Sequence, residues 1–241
     1  MEQVLNQLVE KLRKAHGERL VSVVLYGSGA VGEHDAKYSD WNVLCVLSEI
    51  TARELSASEE IFRWWRERGS PSPLLLMERE MAESTGCFAI EFHDIQRHHV
   101  LLYGKDTVAP LVVDDSSYRA EVAHDLRAKL LRLRQKAAGM YSDADLLRRL
   151  LLDSISTFCV LFRHALILHG AEAPFKKREV IAAARERFGI DPLPFDRLLD
   201  VREGLLKPRQ VEPAALVGAY LRGITTVIEA VDRLEKTGDG R

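Results

Sequence analysis

Cysteine is scarce in this chain, with three in 241 residues. Cys45, Cys87 and Cys159 are odd in number, far apart and without a Cys-x-x-Cys pair. That excludes a disulfide framework and a structural zinc site of the usual spacing, and it reads as three thiols in a reducing cytosol. Charge of one sign is lacking too: 34 Lys and Arg face 36 Asp and Glu, a formal net charge of −2. No global field therefore recruits nucleic acid, although a local basic groove is compatible with this balance. No apolar run reaches membrane length without interruption. The richest, residues 150–168, is broken by Asp153, Arg163 and His164 and is expected to be a central helix instead of a membrane span. Val4, Leu5, Leu8, Val9 and Leu12 have the spacing of an amphipathic helix, not the continuous apolar core of a secretory leader. There is no internal repeat and no low-complexity segment. What is present, 46% hydrophobic and 29% charged residues, suits one large globular domain or two small ones.

The functional argument concentrates in residues 21–47, VSVVLYGSGAVGEHDAKYSDWNVLCVL. Residues 20–26 and 41–47 are rich in β-branched and aromatic side chains and are bounded by Gly and Asp/Ser, as buried strands are. Gly27-Ser28-Gly29 follows the first run directly. Glycine lets the backbone approach a ligand closely, and successive N–H groups with a Ser hydroxyl can cradle phosphate oxygens. A plain turn with a capping Asp would use the same residues. Turn chemistry alone, however, does not demand Ser39-Asp40-Trp41-Asn42 at the opening of the second strand. Strand side chains alternate, so Asp40 and Asn42 are expected on one face as adjacent oxygen donors. Mg²⁺ takes oxygen ligands, commonly one or two carboxylates together with substrate phosphates.

These residues resemble the DNA polymerase β-like nucleotidyltransferase superfamily, and within it the small aminoglycoside and minimal nucleotidyltransferases. The pattern there is a strand, Gly-Ser, a polar loop, Asp-x-Asp or Asp-x-Glu on the next strand, and a third carboxylate on a later strand. Tyr26-Gly27-Ser28 and Ser39-Asp40 match it in order and spacing. The resemblance implies an α+β fold: a small mixed-sheet nucleotidyltransferase domain over residues 1–110, then an all-α helical bundle over 111–241, with the site in the cleft between them. It implies a nucleoside triphosphate partner and Mg as cofactor. Gly27, Ser28 and Ser39 would hold the nucleotide, and Asp40 and Asn42 would be the catalytic and metal-binding pair. The activity implied is transfer of a nucleotidyl group to a hydroxyl on a small molecule or protein. No membrane or nucleic-acid partner is expected, a homodimer is left open, and the location is cytoplasmic.

Two departures from the pattern point to an alternative. Asn42 stands where the second metal carboxylate belongs and removes one negative charge. The third carboxylate has no clear candidate: residues 73–77, PLLLM, contain no acid, Glu78 lies just past them, and Glu91 or Asp94 can stand in only if residues 88–95 reach the site. A catalytically degenerate nucleotide-binding or regulatory module is therefore the reading of a different class.

Along the rest of the chain, Thr51-Ala52-Arg53-Glu54 is a capping box that opens a helix through Trp65. Gly69-Ser70-Pro71-Ser72-Pro73 stops it. The adjacent Trp64 and Trp65 point about 100° apart on a helix, so packing is expected of them in preference to a base-stacking platform. Residues 73–77 read as a third strand, 78–84 as a short helix, and 88–95 and 99–104 as a strand pair. The turn Leu102-Tyr103-Gly104-Lys105-Asp106 resembles the end of many nucleotidyltransferase domains. Tyr118, Val122, Leu126, Leu130, Leu133, Ala137 and Met140 form one helical stripe. Helices are also expected from Ser142-Asp143 to about His169, over 176–188, around 194–201, and from Pro213 to about Glu235, with the remaining tail frayed.

Other groups have a sharper and a plainer reading. His93, His98 and His99 suggest a metal or a base, but their spacing is not that of known zinc motifs and a surface or turn role is the plainer one. Arg163 and His169 resemble the Arg-x(4–6)-His motif of HEPN-type ribonucleases, a third function class, with a helix-terminal His and a paired Arg as the plainer reading. Arg127, Lys129, Arg132, Arg134 and Lys136, and likewise Lys176-Lys177-Arg178, read as solvated faces or as an anion-binding wall.

Overall fold

The computed structural model describes residues 2–30, 41–113 and 115–238, except the side chains of Glu2, Ser28 and residues 235–238. The chain divides into two compact units, Met1–Ser117 and Tyr118–Arg241.

The first unit is a four-stranded mixed sheet in the order β3-β2-β1-β4. Its strands are β1 (Leu20–Tyr26), β2 (Asn42–Leu47), β3 (Leu74–Met77) and β4 (His99–Gly104). β1 pairs antiparallel with β2 and β4, whereas β2 and β3 are parallel. A parallel pair needs a crossover, and helix α2 (Ala52–Arg66) provides it. Strand alternation sorts the side chains between two layers. Val23, Leu25, Val43, Cys45 and Leu47 face α1 (Glu2–His16) and α2, where Leu8, Leu12 and Trp65 are fully buried. Val24, Leu44 and Val46 face α3 (Glu78–Glu83), α4 (Ala89–Arg97) and Val108. Each such side chain contributes about 1.5–3 kcal/mol on full burial.

Residues 88–95, expected as a strand, form helix α4 instead. The buried residues are Ala89, Ile90, Phe92 and Ile95. Recurrence at 89, 92 and 95 keeps them on one helical face, whereas alternation would have divided Phe92 from Ile95. Local apolar composition suggested a strand, and packing of that face against Leu44 and Val46 selects the helix.

The capping box at Thr51 forms as expected. Thr51 Oγ1 accepts from the Arg53 N–H, and the Glu54 carboxylate accepts the Thr51 N–H at 3.0 Å. Glu54 is 3% exposed and also pairs with Arg19. Trp65 lies in the core, and Trp64 is held between Lys11 and Arg68, 5.1 and 4.0 Å from the ring centre.

The second unit comprises α5 (Tyr118–Gly139), α6 (Ala144–Leu168), α7 (Lys177–Phe188), α8 (Leu193–Arg202) and α9 (Pro213–Gly238). α9 runs past Glu235 into the stretch expected to fray. In α5 the stripe from Tyr118 to Ala137 is buried. α6 is the central helix, and its Phe158 and Phe162 meet Phe195 and Tyr220 in an aromatic cluster with ring centres 4.9–6.4 Å apart. A Cβ at Gly223 would stand 2.8 Å from the Phe195 ring, so glycine there lets α9 settle onto α8. α6 and α9 are long and apolar enough to cross a membrane by length and composition, but 56% of that α6 window is buried inside the unit.

Two predictions follow from these contacts. The Thr51 hydroxyl bond, then the Thr51 N–H and Arg19, lower the Glu54 pKa from 4.5 to about 2 against the opposing effect of burial. Its stabilising contribution is therefore complete above the ordinary value and is lost as pH falls from 4.5 through about 2. Urea midpoints of Glu54→Gln should show a shallower acid slope than those of the parent between these limits. Gly104 has φ +81°, and a Cβ there would lie 2.1 Å from the Val21 carbonyl oxygen. Gly104→Ala should cost about 2–3 kcal/mol in urea denaturation, whereas Gly139→Ala, with nothing within 4 Å, should change stability by less than about 1 kcal/mol.

Candidate functional site

β1 ends at Tyr26, and the backbone leaves it through a 3-10 turn at Gly27–Gly29. Gly27 takes φ +72°, a left-handed conformation that favours glycine. Its N–H donates to the His98 carbonyl at 3.2 Å, and its own carbonyl accepts from Ala30 at 3.0 Å.

Strand register determines what meets this turn. Tyr26 lies opposite Asn42 in β2 and opposite His99 in β4. Asn42 belongs to the sheet face of Leu44 and Val46, the face covered by α4, while its neighbour Trp41 packs on Trp65 in the other layer with ring centres 5.7 Å apart. A Cβ at Gly27 would come within 3.3 Å of Asn42 Nδ2. Glycine is thus required at position 27 by its φ and is also overlaid by the Asn42 amide.

α4 reaches this end of the sheet. His98, which caps it, supplies the carbonyl that Gly27 uses. Burial, then the charges of Glu91 and Asp94, push the Tyr26 phenol up to about 12. Glu91 is exposed, Asp94 is half-buried, and a spacing of three places them on one helix face. Residues 88–95 thus approach the turn as a helix. Glu78 does not. It follows Met77, which pairs with Leu47, about 16 Å along the strand from Asn42, and its carboxylate accepts from Lys105 Nζ at 2.7 Å. β3 begins at Leu74, opposite Leu44, and brings no acid.

Of the other residues singled out from sequence, Gly27 and Asn42 come together. Ser39 and Asp40 lie outside the described residues, as does the Ser28 side chain. The three histidines are dispersed: His93 Nε2 meets Asp115 at 2.5 Å, His99 Nε2 meets Asp106 at 3.4 Å, and His98 serves through its carbonyl. Asp106 is held below the usual carboxylate range by the Ala109 N–H, then by that of Val108 and by His99, against the opposing effect of burial. Among the described residues no three His, Cys, Asp or Glu are grouped to hold a metal.

In the helical unit Arg163 and His169 do not converge. Six positions separate them by about 120° around the axis and about 9 Å along it. The Arg163 guanidinium lies 4.4 Å from the Phe175 ring centre. His169 stacks edge-on to Phe188 and its Nε2 lies 3.2 Å from the Ala230 carbonyl, with its pKa lowered chiefly by burial. Arg127 pairs with Asp232 and Arg134 donates to Thr225, while Lys129, Arg132 and Lys136 are exposed. Arg178 is bound by Asp200 and Glu203, and Lys176 pairs with Glu179.

No family model matches the chain, and no curated protein matches it by sequence. Its fold, a mixed sheet with a glycine turn between the first two strands followed by helices, is similar to that of a solved structure. The particular structure is spectinomycin adenyltransferase AAD(9) from Enterococcus faecialis, solved with ATP and spectinomycin. It aligns with a TM-score of 0.61 at 17% identity, over 96% of this chain and 99% of that one. A toxin–antitoxin structure with AMP-PNP aligns over 43% of this chain and 80% of its own at 16% identity, with a TM-score of 0.30. Sequence reasoning missed α4 as a helix beside this end of the sheet, although the three-residue recurrence of Ala89, Phe92 and Ile95 was a signal for it.

Gly27→Ala combines a left-handed φ with contact against the Asn42 amide. It should cost about 1–2 kcal/mol of stability in urea denaturation.

Proposed function

We propose that this chain transfers a nucleotidyl group from ATP or another nucleoside triphosphate to a hydroxyl of a small molecule. The observation that carries this reading is the near full-length likeness to a nucleotidyltransferase fold, with a left-handed glycine turn and Asn42 side by side where strands β1 and β2 meet. In the reaction the acceptor oxygen attacks the α-phosphorus, the bond to pyrophosphate breaks, and the hydroxyl proton leaves to a base or to water. The turn at Gly27–Gly29 holds the triphosphate through backbone N–H groups. Asp40, two residues before β2 in the sequence, is the residue that would hold Mg²⁺. Its carboxylate oxygens would suit a hard cation completed by phosphate oxygens and water. When bound, the metal would neutralise charge on the triphosphate.

A second reading is a nucleotide-binding module without turnover, favoured by Leu74 at the head of β3 and by Glu78 at the far end of the sheet. Pyrophosphate release distinguishes the two, measured with Mg²⁺, each of the four nucleoside triphosphates and a panel of hydroxylated acceptors that starts with spectinomycin. Under the leading reading one acceptor supports release, and Asp40→Ala lowers it about 100-fold or more. Triphosphate binding without release by the parent, with release appearing in Asn42→Asp, would establish the second. Absence of calorimetric binding for all four triphosphates would overturn both.

A further inference from the structure

The seam between α5 and α9 opens into a cavity of about 400 Å³ that belongs wholly to the helical unit. Ala138, Ala214 and Gly218 line it with small side chains, together with Arg134, Arg222 and Tyr141. About two turns earlier in α5, Arg127 is neutralised by Asp232 of α9. Arg134 and Arg222 meet no carboxylate among the described residues. Arg134 donates to the Thr225 hydroxyl oxygen at 3.3 Å, and that hydroxyl gives its own hydrogen to the Leu221 carbonyl. Arg222 folds back along α9, its Nη1 3.5 Å from where a Cβ on Gly218 would be. No described Asp or Glu lines the cavity. Helix termini do not supply its charge: α5 ends and α9 begins beside it, so the negative end of one dipole offsets the positive end of the other.

Two guanidiniums at one surface of alanines and glycine form an amphipathic site. A guanidinium matches a carboxylate with paired N–H donors, and the volume is that of small-molecule sites. Tyr141, 55% exposed, adds an aromatic face at the same place. From this arrangement we propose that the cavity between α5 and α9 binds a small organic carboxylate, its anionic group on Arg134 and Arg222 and its apolar body against the alanines and Tyr141. The proposal stands apart from the nucleotide reading. Ala137, which also lines the cavity, lies about 28 Å along α5 from Tyr118, where the chain enters the helical unit.

The test is titration of the isotope-labelled full chain with benzoate, with its neutral isostere benzamide and with inorganic phosphate, followed by amide chemical shifts in NMR. Benzoate should saturate, move the Ala138 and Gly218 amides, and bind about tenfold or more tighter than benzamide. Arg134→Gln and Arg222→Gln should each weaken benzoate about tenfold. Arg132→Gln removes an exposed charge outside the cavity and should change binding by less than about twofold. Gly218→Leu fills the space beside Arg222 and raises helix propensity, so it should lose benzoate while the amide spectrum stays that of a folded chain. Equal binding of benzoate and benzamide would overturn the proposal, as would a loss in Arg132→Gln as large as that in Arg222→Gln. Tighter binding of phosphate than of benzoate, or no saturable binding of any of the three probes, would overturn it as well.

Discussion

The first unit depends on the placement of β1 between β2 and β4. Two antiparallel ladders converge on Tyr26, with Asn42 on one side and His99 on the other. The backbone can leave that crowded end only by turning left-handed at Gly27, where its N–H is taken by the His98 carbonyl. One strand end thus ties together the glycine turn, the start of β2 and the cap of α4. Asn42 and His99 are set opposite Tyr26 by strand register and not by side-chain reach.

The helical unit obeys a different constraint. Its stability comes from apolar faces meeting around α6, with the aromatic cluster at the centre and Gly223 admitting the Phe195 ring. Several polar groups drawn into that core are bonded there: the Tyr220 and Ser154 hydroxyls lie 2.9 Å apart, and Tyr118 and His164 meet at 2.6 Å. Arg163 and His169 belong to the same economy of packing, which explains a motif-like spacing without a shared target.

Much of the architecture was legible from pattern. β-branched runs bounded by Gly and Asp indicated β1 and β2, the Thr51–Glu54 capping box indicated the start of α2, and the stripe from Tyr118 to Ala137 indicated α5. Each of these signals is local, so the residues that cause the element are also the residues that reveal it. α4 was misread because Phe88, Ile90 and Phe92 alternate as a strand does, over a short run that also holds the helical recurrence of Ala89, Phe92 and Ile95. Its identity is decided by Leu44 and Val46 across the core. At the site, Gly27 and Asn42 were singled out from sequence, but the overlay of one on the other was not.

By itself, then, the sequence determined the alternation of strands and helices, the glycine at the end of β1 and the neutral amide where a carboxylate was expected, because composition and periodicity are properties of neighbouring residues. Only the tertiary structure decided that Glu91 and Asp94 approach Tyr26, that Glu78 sits at the opposite end with Lys105, and that the Asn42 nitrogen faces the turn. Those facts depend on strand order and register, and register is selected by burial across the whole sheet and not by any segment that contributes to it.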